Sequence, residues 1–170
     1  MKICIVSCRV ILVVMSVFLI GLQVANTSEW RYLEHSQIEW REYNAATFFE
    51  ARKADKPLYV FIYANWCRWC KKFETETLET ETIRSLLIRE TIPVAIDYDK
   101  ETGLARKLGA KLVPTNILLS PDGKKLLRFY GFLNANDFSE VLQSVLLAWR
   151  KGELPEEEFG DKSTCCPVPR

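Results

Sequence analysis

The sequence predicts an α/β fold in which a central mixed sheet is flanked by helices. Short apolar runs rich in β-branched and aromatic residues, typical of buried strands, alternate with stretches whose apolar residues recur at helical spacing. The predicted order of elements is β-α-β-α-β-α-β-β-α, and such alternation places helices on both faces of one sheet. A chain of 170 residues suffices for one domain with a buried core and shorter appendages.

Residues 1–25 have the layout of an export signal. Lys2 and Arg9 precede an uncharged apolar run over residues 10–24, and polar residues follow it. The run is shorter than the roughly 20 residues that cross a bilayer comfortably, and Gln23-Val24-Ala25 is a mediocre cleavage site. Two interpretations stay open, a cleaved signal peptide and a membrane anchor. Both predict that the remaining chain is exported, to the periplasm or elsewhere outside the cytoplasm, because the positive charges lie before the apolar run.

The net charge argues against a nucleic-acid-binding protein, and the cysteine content argues against a small disulfide-stapled protein. The 23 basic and 22 acidic residues give a net charge of +1 without a basic stripe, which argues against a nucleic-acid partner. The six cysteines form three pairs along the sequence, at positions 4 and 8, 67 and 70, and 165 and 166. They are too sparse for a disulfide-stapled miniprotein. We interpret Cys4 and Cys8 as incidental, and the single histidine, His35, as a solvated surface residue.

The predicted domain covers residues 30–150. It begins with a short strand at residues 38–40, and Asn44 is a suitable N-cap for the amphipathic helix that follows. That helix continues to Ala54, and residues 55–57 end it because they contain a proline.

The strongest functional signal comes next. The apolar run Leu58 to Tyr63 predicts a buried strand, and Cys67 and Cys70 begin a helix that is predicted to extend to Thr77. In the first turn, Cys67 would lie near unpaired backbone N–H groups and the positive end of the helix dipole, which favour the thiolate. Cys70, one turn later, is close enough for a disulfide. The pair therefore indicates thiol-disulfide exchange.

A Cys-x-x-Cys pair alone also fits half of a zinc site, a structural disulfide or inert buried thiols. Zinc would need a second ligand pair, for which His35 and Cys165-Cys166 are poor candidates. The alternative function is a periplasmic carrier of a soft metal ion that uses Cys67, Cys70 and the C-terminal pair.

The rest of the domain continues the alternation. The pattern predicts helices over 81–89 and 101–108, and strands over 91–97 and 112–119. A hairpin strand over 124–130 and a last helix over 136–149 complete the domain. Pro114 marks a constrained entry into its strand, because proline is tolerated there and at sheet edges. We expect residues 151–170 to form a disordered tail, on which Cys165-Cys166 could reach the active site to shuttle electrons or hold a metal ion.

The combination of these motifs resembles the thioredoxin superfamily. The motifs that carry the resemblance are the strand Leu58 to Tyr63, the helix start Trp66-Cys67-Arg68-Trp69-Cys70 and the strand entry Val113-Pro114-Thr115. The resemblance covers residues 38–149. Residues 56–74, with Gly131-Phe132, are most similar to the C-terminal periplasmic thioredoxin-like domain of the transmembrane thiol:disulfide interchange reductase and to its small exported relatives.

The resemblance implies roles for individual residues. Cys67 would be the nucleophile and Cys70 the resolving thiol of a redox-active disulfide. Trp66 would flank the site, Pro114 would be a cis-proline facing the disulfide, and Val113 would offer backbone groups to an extended substrate peptide. The implied protein is an exported, monomeric oxidoreductase of cell redox homeostasis that reduces protein disulfides and is recycled by a thiol-disulfide partner. No cofactor is needed, because the cysteines hold the electrons.

Two positions depart from the thioredoxin pattern. Phe61 stands six residues before the first cysteine, where thioredoxins usually carry a buried acidic residue that can relay protons. Glu74, four residues after Cys70, matches an acidic residue of the interchange-reductase domain and is a candidate proton relay; a solvated helix glutamate is the other interpretation. Arg68 and Trp69 replace Gly-Pro between the cysteines. Arg68 favours the thiolate, but these two residues do not fix the redox direction.

Overall fold

A mixed sheet of five strands organises the fold. The computed structural model describes residues 33–153, 157–159 and 165–168. In chain order its elements are α1 (Ala45–Ala54), β1 (Leu58–Tyr63), α2 (Arg68–Phe73), a π-helical turn (Glu74–Leu78), α3 (Glu81–Glu90), β2 (Ile92–Asp97), α4 (Thr102–Lys107), β3 (Leu112–Val113), β4 (Thr115–Leu119), β5 (Lys125–Tyr130), α5 (Ala135–Lys151), β6 (Glu157–Phe159) and β7 (Cys166–Pro167).

The strand order of this sheet is β2-β1-β4-β5-β6. β1 pairs parallel with β2 and antiparallel with β4, while β5 pairs antiparallel with β4 and parallel with β6. All six residues of β1 are buried, as expected for a strand with neighbours on both sides. The predicted α/β class with a central mixed sheet is confirmed, and the segment that carries the cysteines leaves the sheet from a strand that is buried along its whole length.

An aromatic cluster fixes α2 against the sheet. Phe73, in the turn after Cys70, lies 5.5 Å from Phe138 of α5 and 5.9 Å from Phe61 of β1, measured between ring centroids. Phe138 in turn lies 5.7 Å from Phe129 of β5. All four rings are almost fully buried, and burying one such ring contributes about 1.5–3 kcal/mol. The helix that carries the cysteines is therefore anchored by apolar contacts from three other elements.

Two predicted elements differ in the structure. The strand expected at residues 38–40 is not formed; only Arg41 makes a parallel bridge, its N–H donating to the carbonyl oxygen of Pro93 at 2.9 Å. Upstream, the segment makes a local contact instead of a ladder, in which the Trp40 Nε1–H donates to Ser36 Oγ at 2.9 Å. The predicted helix Cys67–Thr77 changes to a π-helical turn at Glu74, within which Thr77 Oγ1 donates to the Leu133 carbonyl oxygen at 2.6 Å.

The C-terminal segment contains two short strands. β6 extends the sheet by pairing with β5, and β7 pairs antiparallel with β3 to form a separate two-stranded sheet. The expectation of a disordered tail over residues 151–170 is therefore wrong for these two strands. β6 and β7 pair with strand edges whose backbone N–H and C=O groups would otherwise be unpaired. Unpaired groups at a strand edge favour pairing with an additional strand.

The predicted signal or anchor at residues 1–25 lies outside the described residues. Within the part of the chain that the structure describes, no helix has the length and apolar character needed to cross a membrane.

Candidate active site

Cys67 occupies the N-cap of α2. The chain leaves β1 through a turn in which the Cys67 N–H donates to the Ala64 carbonyl oxygen at 3.0 Å. Cys67 itself has extended backbone angles, φ −84° and ψ 99°, and its Sγ accepts the backbone N–H of Cys70 at 3.1 Å. A donor aimed at this sulfur, with the positive end of a helix behind it, stabilises a thiolate once the disulfide is reduced.

Cys67 and Cys70 are joined by a disulfide. Their Cα atoms lie 5.3 Å apart, a separation in the normal range for a disulfide. The structure thus brings together the two residues predicted to form the redox pair. Neither cysteine is exposed to solvent, so a substrate sulfur that reacts with Cys67 must first gain access to it.

Val113 and Pro114 form a wall of the site beside the disulfide. The carbonyl oxygen of Val113 lies 3.5 Å from Cys67 Sγ, and Val113 is fully buried. The peptide bond between Val113 and Pro114 is cis, as the resemblance implies. β3 ends at Val113 and β4 begins at Thr115, so the predicted single strand over 112–119 is two strands that meet at Pro114.

Aromatic and basic side chains lie around the cysteine turn. Trp66 is 46% exposed, and its Nε1–H donates to Asp99 Oδ1 at 3.3 Å. The Arg68 guanidinium lies 5.5 Å from the ring centroid of Trp69, which in turn lies 6.3 Å from that of Phe132. The site therefore combines positive charge with apolar rings.

Asp99 was not predicted as a site residue. It follows β2, which is parallel to β1, so the loops after these two strands reach the same edge of the sheet. That topology, combined with an acidic residue just after the strand, is the signal that could have identified it.

Glu74 is buried beneath the turn that follows Cys70. Its side chain is only 5% exposed, and its backbone N–H donates to the carbonyl oxygen of Cys70. The N–H of Leu33 donates to Glu74 Oε1 at 3.1 Å, whereas no donor among the described residues reaches Oε2. Burial raises the pKa of the Glu74 carboxyl, and the Leu33 hydrogen bond opposes that rise only in part. The interpretation of Glu74 as a solvated helix residue is wrong.

Phe61 occupies the buried strand position at which thioredoxins usually have an acidic residue. It is fully buried, and its ring centroid lies 5.7 Å from that of Tyr63 and 5.9 Å from that of Trp40. An aromatic stack fills this space, so a proton relay by a side chain at this strand position is excluded. Glu74 is a buried carboxyl whose backbone N–H, on the helix side of the site, is bonded to the Cys70 carbonyl oxygen.

His35 is exposed, in agreement with its interpretation as a surface residue. Within the described parts of the chain, no three His, Cys, Asp or Glu side chains come together in a group that could hold a metal ion. In the described structure, Cys67 and Cys70 form a disulfide, and backbone groups and aromatic rings surround it.

A family model for thioredoxin-like domains matches residues 45–146 of this chain. Among characterised proteins, the chain is 31% identical over 96 residues to the thiol:disulfide interchange protein DsbD of Pectobacterium atrosepticum, a match that covers 54% of this chain and 17% of DsbD. It is 35% identical over 96 residues to the chloroplastic thioredoxin Y2 of Arabidopsis thaliana, covering 56% of this chain and 54% of that protein. The chain therefore spans about a sixth of the first relative and about half of the second.

Solved structures share the fold. The DsbH oxidoreductase superposes with a TM-score of 0.59 at 20% identity, covering 69% of this chain and 90% of that structure. A thioredoxin from Thermus thermophilus superposes with a TM-score of 0.57, also at 20% identity, covering 65% of this chain and 90% of that structure. These likenesses confirm the predicted thioredoxin-like fold.

Proposed function

This chain belongs to the thioredoxin-like family of disulfide oxidoreductases, and from that premise we propose that it reduces protein disulfides outside the cytoplasm. The observation that carries the proposal is the position of Cys67 at the start of α2, bonded to Cys70 and 3.5 Å from the carbonyl oxygen of Val113. A sulfur held there receives a backbone N–H bond from Cys70 and lies beside β3, whose edge binds an extended strand, β7.

The proposed reaction begins with the reduced pair. The thiolate of Cys67 attacks one sulfur of a substrate disulfide, forming a mixed disulfide while the other substrate sulfur leaves as a thiolate and takes up a proton. Cys70 then loses its proton and attacks Cys67 Sγ, which restores the intramolecular disulfide and releases the second substrate sulfur. The substrate gains two electrons and two protons, and the described structure corresponds to the oxidised enzyme after this step.

Glu74 is proposed as the group that accepts the proton of Cys70. It is buried, its N–H is bonded to the Cys70 carbonyl oxygen, and its Oε2 has no donor among the described residues. Burial raises the pKa of Glu74, which makes its carboxylate a stronger base than a solvated glutamate.

The proposed substrate is an extended segment of another protein. Trp66 offers an exposed ring next to Cys67, and the backbone of Val113 and Pro114 forms the opposite wall. An extended peptide that replaces β7 against this wall would place its own sulfur in line with Cys67. A second dithiol protein would then recycle the disulfide, and no oligomer is needed for either step.

Export is proposed from the sequence of residues 1–25, with a cleaved signal and an anchor at residues 10–24 as its two forms. A reductant in an oxidising compartment needs a low potential to act in that direction. We expect the measured potential of the Cys67–Cys70 couple to lie nearer the thioredoxin value of about −270 mV than the oxidant value of about −120 mV.

Insulin reduction driven by dithiothreitol tests the activity. The wild-type chain should accelerate precipitation of the insulin B chain, and Cys67→Ser should reduce the rate to that of dithiothreitol alone. Cys8→Ser is the matched control, since it removes a thiol that lies before the apolar run, and it should retain the wild-type rate. Equal rates for Cys67→Ser and the wild type would refute the proposed nucleophile.

A further inference from the structure

The C-terminal strand β7 lies on the edge that the proposed function assigns to a substrate peptide. In the antiparallel pairing of β7 with β3, Cys166 is opposite Val113 and Pro167 is opposite Leu112. The carbonyl oxygen of Val113 lies 3.5 Å from Cys67 Sγ. The chain's own tail is thus bound as an extended strand next to the residue that contacts the nucleophile.

The register places Cys166 opposite the residue whose carbonyl oxygen lies beside Cys67 Sγ. Residues opposite each other in an antiparallel pair have Cα atoms about 4.5–5.5 Å apart, so Cys166 is one strand spacing from Val113. Cys166 and Val168 are both partly buried against the core to which Cys67 and Cys70 belong. Two residues apart on an extended segment, their side chains point to the same side, which is the side that faces the domain.

Burial differs between the two cysteine pairs. Cys67 and Cys70 have no exposed surface, whereas Cys165 and Cys166 are partly exposed. Attack on a sulfur requires access to it. With the tail bound, an external dithiol can reach the tail cysteines more readily than the internal disulfide.

We propose that Cys165 and Cys166 form a second redox centre, which exchanges its disulfide with Cys67–Cys70 within the same chain. This inference rests on the proposed function, because it requires Cys67 to take part in thiol-disulfide exchange. The tail is then an intramolecular substrate, and it carries electrons between the buried pair and an external dithiol or disulfide.

The exchange balances without a further reactant. The thiolate of Cys166 attacks Cys67 Sγ, a bond forms between them, and Cys70 leaves as a thiolate. Cys165 then attacks Cys166 Sγ, so that the tail disulfide forms and Cys67 leaves. Two electrons pass from the tail to the active-site pair, and the two protons lost by the tail thiols are taken up by Cys67 and Cys70.

The reverse reaction reduces the tail at the expense of the active-site dithiol. Adjacent cysteines close a strained disulfide ring, and strained disulfides are readily reduced. The tail disulfide is therefore suited to a transient carrier rather than to a structural crosslink.

Trapping the mixed disulfide tests the proposal. The full chain carries Cys4→Ser and Cys8→Ser, which leaves four cysteines, and Cys70→Ser, which prevents resolution. After mild oxidation with diamide at about 1 µM protein, acid quenching and proteolysis, mass spectrometry should find Cys67 joined to Cys166. An effective concentration of the order of 1 mM for a tethered segment makes crosslinks within one chain roughly a thousandfold more frequent than crosslinks between chains.

Single substitutions in the tail supply the matched controls. In the same background, Cys165→Ser should retain the crosslink and Cys166→Ser should lose at least nine-tenths of it. Crosslinks of equal yield from either cysteine would overturn the assignment that the strand register makes.

A separate disulfide distinguishes this inference from the proposed function. The Cys70→Ser chain is also treated with a short peptide that contains one disulfide, and capture of that peptide on Cys67 is measured. Capture of the peptide without any tail crosslink would overturn the second redox centre and leave the proposed function standing. Failure of both reactions would overturn both.

Discussion

The backbone N–H of Leu33 donates a hydrogen bond to Glu74 Oε1 at 3.1 Å, across 41 positions of sequence. The contact holds a carboxyl in the buried turn that follows the second cysteine, where its other oxygen has no donor among the described residues. A buried carboxyl with one hydrogen bond is costly to ionise, and this cost makes both stability and chemistry depend on pH.

Glu74→Gln should stabilise the protein at neutral pH. Because burial raises the pKa of Glu74 above its ordinary value of 4.5, the folded state holds this proton more tightly than the unfolded state. The stability that protonation supplies is complete below pH 4.5 and is lost as the pH rises through the raised pKa. Glutamine cannot ionise, so the variant should exceed the wild type in free energy of unfolding at pH 7 and match it more closely near pH 4.

Urea denaturation at both pH values measures this difference. The matched control is Glu76→Gln on the same turn, because Glu76 is exposed and pairs with Lys72 at 2.8 Å. Its loss should cost about 0.5 kcal/mol or less. A Glu74→Gln variant that is less stable than the wild type at pH 7 would show that the carboxylate is stabilised where it lies.

The same substitution should slow the resolving step. Glutamine cannot accept the proton of Cys70, and general bases typically contribute about 10²–10⁴-fold to a rate. We expect single-turnover release of a reduced peptide to slow by about tenfold or more, while the initial attack by Cys67 is unchanged. If both steps slow equally, the substitution has altered the shape of the site and the relay is not supported.

Phe138→Ala should be strongly destabilising. The Phe138 ring is fully buried and contacts those of Phe73 and Phe129, so the substitution leaves a cavity and should cost about 3–5 kcal/mol. Phe49→Ala is the control, since Phe49 is 65% exposed on α1 and its loss should change stability by about 0.5 kcal/mol or less. Urea midpoints measured for both variants should differ accordingly, and a small effect at Phe138 would contradict the described packing.

Asn44→Ala should remove the N-cap of α1. Asn44 Oδ1 accepts the N–H of Thr47 at 3.0 Å, and loss of such a cap costs about 1 kcal/mol. Asn44→Asp keeps the acceptor and adds a negative charge near the positive helix end, so it should retain or slightly raise stability. Equal thermal midpoints for the alanine variant and the wild type would indicate that water replaces the cap.

Local patterns predicted those parts of the fold that depend on neighbouring residues. The run Leu58–Tyr63 is a strand buried along its whole length, and Asn44 caps the first helix. Cys67 lies at the start of the second helix as predicted, but at its N-cap rather than in its first turn. In each case the pattern lies within a few residues of the structure that it specifies, so propensity and burial act together.

The features that sequence reasoning missed depend on distant partners. The sequence named Glu74 as a candidate but left its burial open, because the N–H that bonds its carboxyl belongs to Leu33, far upstream. The π-helical turn that carries Glu74 has no apolar period of its own. The strand β7 is only two residues long and contains a proline, so no strand pattern marks it. Its partner, Val113, lies more than 50 residues earlier in the chain.

Arg68→Ala should lower the reactivity of Cys67 at mildly acidic pH. Arg68 directly follows Cys67 at the start of α2, and its positive charge favours the thiolate that reacts with an alkylating agent. An exposed positive charge near the sulfur favours the thiolate by about 0.5–1 kcal/mol. The alkylation rate of the reduced protein at pH 6 should therefore fall about two- to fivefold when Arg68 is removed. The rates of variant and wild type should converge above pH 9, where the thiol is ionised in both.

Lys72→Ala is the charge-matched control, because Lys72 lies over the Phe132 ring further along the chain and should change the rate less. Equal losses in the two variants would mean that net charge, rather than the position of Arg68 beside the sulfur, sets the reactivity of Cys67.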